Sequence, residues 1–99
     1  MPHEMSATSV PDILLYTRPG CGLCDETKSM IQSLLEDRAG RGVRIAHYRE
    51  RDISADPELE RELFDRIPVV ELRGRRLELA TSLAQLRLFL DDGLDGNLA

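Results

Sequence analysis

Tyr16-Thr17-Arg18-Pro19-Gly20-Cys21-Gly22-Leu23-Cys24 holds both cysteines of the 99-residue chain, three positions apart. The apolar run Ile13-Leu14-Leu15-Tyr16 stands immediately before the turn-forming residues. A helical pattern follows, with Leu23, Met30, Ile31, Leu34 and Leu35 expected on one stripe. The pair is therefore predicted where a buried strand turns into a helix. The first turn of a helix has N–H groups without intrahelical partners and carries a partial positive charge. Both effects favour a thiolate, and such sites bring a cysteine pKa from about 8.5 into the range of roughly 3.5–7.5.

Working outward, the ends of the chain carry little apolar pattern. Residues 1–11 are polar with two prolines, and residues 92–99 lack a sustained apolar face, so both read as flexible tails around a single domain at 12–91. About 80 residues bury only some 60–65% of their unfolded surface, enough for one core. Aliphatic side chains must build it, because aromatics are 4% of the chain and tryptophan is absent. The net charge of −5 argues against nucleic acid as a partner. The basic runs Arg41, Arg44, Arg49, Arg51 and Arg73, Arg75, Arg76 are interleaved with acids and read as solvated edges and turns. No stretch approaches the ~20 apolar residues of a membrane span. Met1-Pro2-His3-Glu4 lacks the basic and apolar regions of a signal peptide, so the expected location is cytoplasmic, where thiols are kept reduced.

The elements follow in the order βαβαββα. A first strand is predicted at 12–17, and a first helix from Cys21 to Arg38 ending at Gly40-Arg41-Gly42. The second strand is predicted at Val43–Arg49, with Val43, Ile45 and His47 alternating against Arg44, Ala46 and Tyr48. Asp56-Pro57-Glu58 is a helix start, with Leu59, Leu63 and Phe64 as its apolar face. That helix must stop before Ile67-Pro68. Val69–Leu72 and Arg75–Leu79 flank Arg73-Gly74 as a hairpin. Ser82-Leu83-Ala84-Gln85 is a capping-box pattern opening a last helix, with Leu83, Leu86 and Leu90 inward and an end near Gly93.

Thiol–disulfide exchange needs an approachable thiolate and a second thiol that reaches the mixed disulfide. Cys21 has the better claim to exposure and low pKa, and Cys24 lies one turn further along the same face. Arg18 and Lys28 add positive charge nearby, and Asp25 and Glu26 oppose it. Two other readings of the pair are open. As buried small hydrophobes the cysteines conflict with the polar turn before Cys21. As a zinc site they supply half of the usual ligand set, with His3 and His47 the remaining candidates. Tyr16 reads as a packing residue.

The order of elements, with Cys-x-x-C after the first strand and Arg66-Ile67-Pro68-Val69-Val70 opening the third, resembles the thioredoxin fold. The run Tyr16–Asp25 is similar to that of small bacterial glutaredoxin-like proteins. The resemblance covers about residues 12–91. It implies an α/β fold with a four-stranded mixed sheet of order 2-1-3-4 flanked by three helices. By position, Cys21 is implied as the attacking thiol and Cys24 as the resolving one. Pro68 is implied as a cis proline facing them, and Ile67 as the residue whose backbone meets the substrate. Arg18 stands where glutaredoxins often place a lysine that helps bind the glutathione carboxylate. The implied activity is a dithiol oxidoreductase acting on protein disulfides or mixed disulfides. Its electrons would come from glutathione or a thioredoxin-reductase-type donor, and the protein would work as a monomer with no tightly bound cofactor.

The departures from the family pattern sharpen this expectation. Gly22-Leu23 matches neither the Gly-Pro of thioredoxins nor the Pro-Tyr of typical glutaredoxins. Where glutaredoxins carry a Gly-Gly-x-Asp-like grip for the γ-glutamyl end of glutathione, this chain has Leu79-Ala80-Thr81-Ser82. Thr81, Ser82 and the N–H groups at the helix start offer sites for a carboxylate, but no acid there meets an amino group. Glutathione is therefore expected only as a weak co-substrate. Some glutaredoxin relatives instead carry an iron–sulfur cluster, many of them with Cys-Gly-Phe-Ser where this chain keeps Cys24. An inactive interaction module is the remaining alternative.

Overall fold

A computed structural model describes residues 10–96. The element order is β1 (Asp12–Thr17), α1 (Gly22–Arg41), β2 (His47–Asp52), a 3-10 turn (Ile53–Ala55), α2 (Pro57–Leu63), β3 (Val69–Leu72), β4 (Arg75–Leu77) and α3 (Leu83–Asp95). The strands form one sheet in the order β2-β1-β3-β4, with β1 parallel to β2 and β3 antiparallel to both β1 and β4. This is the thioredoxin-like arrangement expected from the resemblance.

β1 is the centre of the sheet, and its unbroken apolar run serves two cores. Ile13 and Leu15 join Val70 and Leu72 beneath α1 and α3, where they meet Ile31, Leu34, Leu86, Leu90 and Leu94. Tyr16 and Val69 face the other way, toward Ile53 and Leu63 of the segment leading through α2. Each fully buried aliphatic side chain of this kind stabilises the fold by about 1.5–3 kcal/mol. Both layers grip β1, so the loop that follows it, with the two cysteines, is held on a rigid base.

Several local expectations are corrected. The buried stripe of α1 runs through Cys24, Thr27, Ile31, Leu34 and Arg38, so Leu23, one residue off that line, is 51% exposed. β2 begins at His47, because its register is set by pairing Asp12 with His47 and Thr17 with Asp52. Ala46 is buried while Val43 and Ile45 are exposed, the reverse of the expected alternation. Phe64 is the C-cap of α2 and points outward at 57% exposure, leaving Leu63 and half-buried Leu59 as the inner face. β4 stops at Leu77, and Leu79 takes a positive φ of 49°. Leu83 is exposed, and α3 continues past Gly93 to Asp95 with Leu94 buried, so residues 92–95 are helix where a tail was expected. At the other end the Pro11 carbonyl accepts the His47 N–H at 2.8 Å, tying that residue to β2. The rest of the expected N-terminal tail, including His3, lies outside the described residues.

Arg38 is the unexpected member of the core. Only 2% exposed, it donates through Nη1 to Asp91 at 2.7 Å, through Nη2 to Asp95, and through Nε to the Arg44 carbonyl. It fastens α1 to α3 where an apolar residue would otherwise stand.

Candidate active site

The loop between β1 and α1 is a tight turn. The Cys21 N–H donates to the Arg18 carbonyl at 3.3 Å, with Pro19 and Gly20 as the central residues. Gly20 has φ of 80°, the left-handed value that the third residue of a type II turn requires and that a side chain resists. Proline at the second position presets the other half of the turn. The Pro-Gly dipeptide thus delivers Cys21 to the N-cap of α1.

At that cap the sulfur takes the place usually held by a serine or aspartate oxygen. Cys21 Sγ accepts the backbone N–H of Cys24 at 3.1 Å. Cys21 is half-buried, whereas Cys24 is 1% exposed beneath it. The two form a disulfide with Cα atoms 5.2 Å apart. The first turn of α1 therefore offers one sulfur to solvent and keeps the second directly behind it. An anionic sulfur at Cys21 receives both a hydrogen bond and the positive end of the helix dipole.

A short chain of hydrogen bonds joins this turn to the segments implied in substrate binding. Thr27, fully buried one turn after Cys24, donates its hydroxyl to the Ala80 carbonyl at 2.7 Å and lies 3.1 Å from the Leu23 carbonyl. The Ala80 N–H in turn donates to the Pro68 carbonyl at 2.8 Å. Through Ala80, the cysteine-bearing turn, the Ile67-Pro68 step and the Leu79–Ser82 segment are fixed relative to one another. Ile67–Pro68 is cis. Pro68 is buried and Ile67 half-buried, while Thr81 is exposed. Ser82 is the N-cap of α3, its hydroxyl accepting the Gln85 N–H at 3.2 Å.

Arg18 sits on the other side of the cysteines, toward α2. Its guanidinium is 3.8 Å from Glu60 and shares a shallow depression of about 360 Å³ with Pro57, Arg61 and Phe64. Asp52, at the end of β2, is held below the usual carboxylate range by hydrogen bonds from Ser54, with a smaller contribution from the charge of Arg18. Tyr16 is a packing residue with a polar handle: its hydroxyl donates to Glu71 at 2.5 Å, and Arg76 lies over its ring at 5.1 Å. Burial, then the bond to Glu71, pushes its pKa above the ordinary value.

The expected site residues thus fall in two groups. Cys21, Cys24, Ile67, Pro68, Thr81 and Ser82 are linked through Thr27 and Ala80, whereas Arg18 belongs to the cysteine turn by its carbonyl and sends its side chain toward α2. His47, the described candidate for a zinc ligand, pairs with Asp12 at the far end of β1 from the cysteines. Among the described residues no group of three His, Cys, Asp or Glu side chains is gathered to hold a metal ion. Thr27 and Phe64 were the residues missed. Thr27 had a readable signal, three positions after Cys24 and four before Ile31 at helical spacing, whereas Phe64 reads as core at any helical spacing.

Comparison with known proteins agrees with this geometry. The profile of the family described as glutaredoxin-like domain (DUF836) matches residues 12–91. No curated protein matches the chain in sequence. Among solved structures, a structural-genomics target protein from X. campestris, XcR50, is 29% identical, with a TM-score of 0.65 over 80% of this chain and 95% of its own. The germline-specific thioredoxin Deadhead of Drosophila melanogaster is 22% identical, with a TM-score of 0.57 over 91% of this chain and 87% of its own. A chloroplastic thioredoxin z, 14% identical, reaches a TM-score of 0.62 over 97% of this chain and 91% of its own. The last two are alike in fold alone. With the profile spanning strand, cysteine pair, cis proline and last helix together, this chain belongs to the glutaredoxin-like domain family.

Proposed function

We propose that the protein is a thiol–disulfide oxidoreductase in which Cys21 attacks and Cys24 resolves. The observation that carries this reading is the unequal placement of the two sulfurs: Cys21 Sγ at the N-cap, accepting the Cys24 N–H and reachable from solvent, with Cys24 buried behind it. In the reduced protein the Cys21 thiolate attacks one sulfur of a substrate disulfide. A Cys21–substrate bond forms, the substrate S–S bond breaks, and the departing substrate sulfur takes a proton from water. Cys24 then loses its proton and attacks Cys21 Sγ, closing the intramolecular disulfide and releasing the second substrate thiolate. Two electrons pass from the protein dithiol to the substrate. Two molecules of glutathione, which leave as their disulfide, or the dithiol of a reductase return them.

Protein disulfides are the favoured substrates. Leu23 and Leu79 are exposed around the pair, as is Phe64 beside Arg18, giving apolar area for a polypeptide. The Leu79–Ser82 segment offers hydroxyls and the N–H groups of α3 but no carboxylate for the amino group of glutathione. Lack of one charge-assisted hydrogen bond costs about 1.5–3 kcal/mol, or roughly one to two decades of affinity. The test compares reduction of a protein disulfide with reduction of a small glutathione mixed disulfide by the wild-type protein and by Cys21→Ser. The proposal expects faster turnover of the protein disulfide and none by Cys21→Ser. Changing Ala80-Thr81 to Gly-Asp should raise the glutathione activity. Efficient glutathione mixed-disulfide turnover by the unaltered protein would contradict the substrate preference, and activity in Cys21→Ser would contradict the mechanism.

A further inference from the structure

The two basic runs of the sequence are separated by more than twenty residues, and the fold sorts their members into two kinds. Arg41 pairs with Asp37, Arg49 with Asp12, Arg51 with Asp56, and Arg76 with Glu62 and Glu71. Arg44, Arg73 and Arg75 make no ion pair among the described residues, and these three converge on one open depression of about 400 Å³. The remaining described lining is Asp92, Gly93 and Leu94 of α3 and Gly96 just beyond it, so Asp92 is the one carboxylate among these residues, while Asp91 and Asp95 of the same helix are engaged by Arg38. In a chain of net charge −5, three arginines against one carboxylate among the described lining residues are a local reversal of sign.

Two of the guanidiniums are held by contacts, and the third side chain is carried by the turn. Arg44 Nη1 donates to the Leu94 carbonyl at 3.4 Å, which answers the negative end of α3 and leaves its other N–H groups available. Arg75 lies over the Phe89 ring at 5.9 Å, a contact that orients the side chain without using a donor. Arg73 occupies the hairpin turn with φ of 53°, a left-handed position where glycine, asparagine or aspartate is the ordinary choice. Gly93 lets α3 pass close against the buried Leu72, since a Cβ there would collide with the leucine side chain, and this brings the end of the helix up to the hairpin. The hairpin lies at the Asp12 end of β1, whereas the cysteines follow Thr17, so a strand length of about 20 Å separates the two sites.

We infer that Arg44, Arg73 and Arg75 form a binding site for a small diphosphate-class anion, at the end of the sheet opposite the cysteine pair. Guanidinium forks match phosphate oxygens bidentately, and a multiply charged oxyanion fits three forks better than a monocarboxylate does. The volume is within the range of small-ligand sites.

The test is titration of the full chain with inorganic pyrophosphate and, separately, with ADP, followed by amide NMR shifts at Gly74, Gly93 and Gly96. Saturable shifts confined to this end are expected for both ligands. Equal affinities would assign recognition to the diphosphate alone, and tighter ADP to the same diphosphate in a nucleotide. Arg73→Asn keeps a residue suited to the turn, and Arg75→Gln removes the guanidinium while keeping an unbranched polar side chain. Each should weaken pyrophosphate about tenfold, the effect of losing one charge-assisted pair. Arg87→Gln, which removes an arginine that lies outside the depression and lines a different one beside Asp37 and Asp91, should change nothing. Absence of saturation, binding of ADP without pyrophosphate, or an equal loss in Arg87→Gln would overturn the assignment. None of these readouts depends on the redox chemistry of the cysteines.

Discussion

Thr27→Val removes one oxygen and leaves the shape of the side chain almost unchanged, which makes it a clean probe of how the site is assembled. The Thr27 hydroxyl is the donor to the Ala80 carbonyl at 2.7 Å, in a residue pair fully removed from water. With valine in place the carbonyl keeps its burial and loses its partner. An unsatisfied buried acceptor costs about 1–3 kcal/mol, a factor of roughly 5–150 in the folding equilibrium. The same bond sets the distance between the cysteine-bearing turn and the Pro68–Ala80 step, so catalysis should fall along with stability. Urea unfolding followed by circular dichroism gives the first quantity, and single-turnover reduction of a protein disulfide well below the unfolding midpoint gives the second. Thr27→Ser, which restores the hydroxyl, should recover most of the rate while remaining somewhat less stable for want of the methyl group. A valine variant within about 0.5 kcal/mol of wild type and equally fast would refute the view that this bond organises the site.

Other outcomes follow from the same structure. Arg38→Ala should destabilise the protein by about 3–5 kcal/mol, as expected when one partner of a buried ion pair is removed, whereas Arg38→Met, by filling the space between α1 and α3, should lose much less. Thermal or urea unfolding of the two variants checks this ordering. The chain has two tyrosines, Tyr16 and Tyr48, and both are pushed above the ordinary value near 10, by burial first and then by hydrogen bonds to Glu71 and Glu50. A folded pKa above the unfolded one contributes stability that is present in full below pH ~10 and is lost as pH rises through the folded value. An ultraviolet titration should therefore show less tyrosinate at pH 10 in the folded protein than in guanidinium, where about half is ionised. Glu50 is shifted the opposite way, below the carboxylate range, chiefly by the hydrogen bond from Tyr48. Its contribution is present above the unfolded glutamate value of ~4.3 and is lost as pH falls through the folded one. Tyr48→Phe should weaken that acid dependence.

The elements that decide the fold were legible because several signals agreed at each. Apolar continuity at Ile13–Tyr16, the Pro-Gly turn, the Asp56-Pro57 start and the Ser82–Gln85 cap each pointed to one structure, and each stands as expected. Errors fell where tertiary pairing overrode local pattern. His47–Asp52 is a strand of charged residues with little intrinsic preference for the extended state, and it forms because β1 offers it a partner and Asp12, Lys28 and Asp56 pair with its charges. The stripe of α1 was misread at Leu23 because its inward positions include a cysteine, a threonine and an arginine, residue types that a hydrophobic period does not count. The cysteine pair and Pro68 were legible from the motif. Their connection through Thr27 and Ala80 was not, because it joins residues 53 positions apart.

The central claim is that the two cysteines have unequal and fixed roles. Reduced wild-type protein treated briefly with iodoacetamide near neutral pH, then digested and weighed by mass spectrometry, should carry the label on Cys21 before Cys24. Cys24→Ser, mixed with a disulfide-containing protein, should accumulate a covalent complex through Cys21 that a dithiol releases, and Cys21→Ser should trap nothing. Preferential labelling of Cys24, or a complex that forms through Cys24 when Cys21 is replaced, would contradict the account.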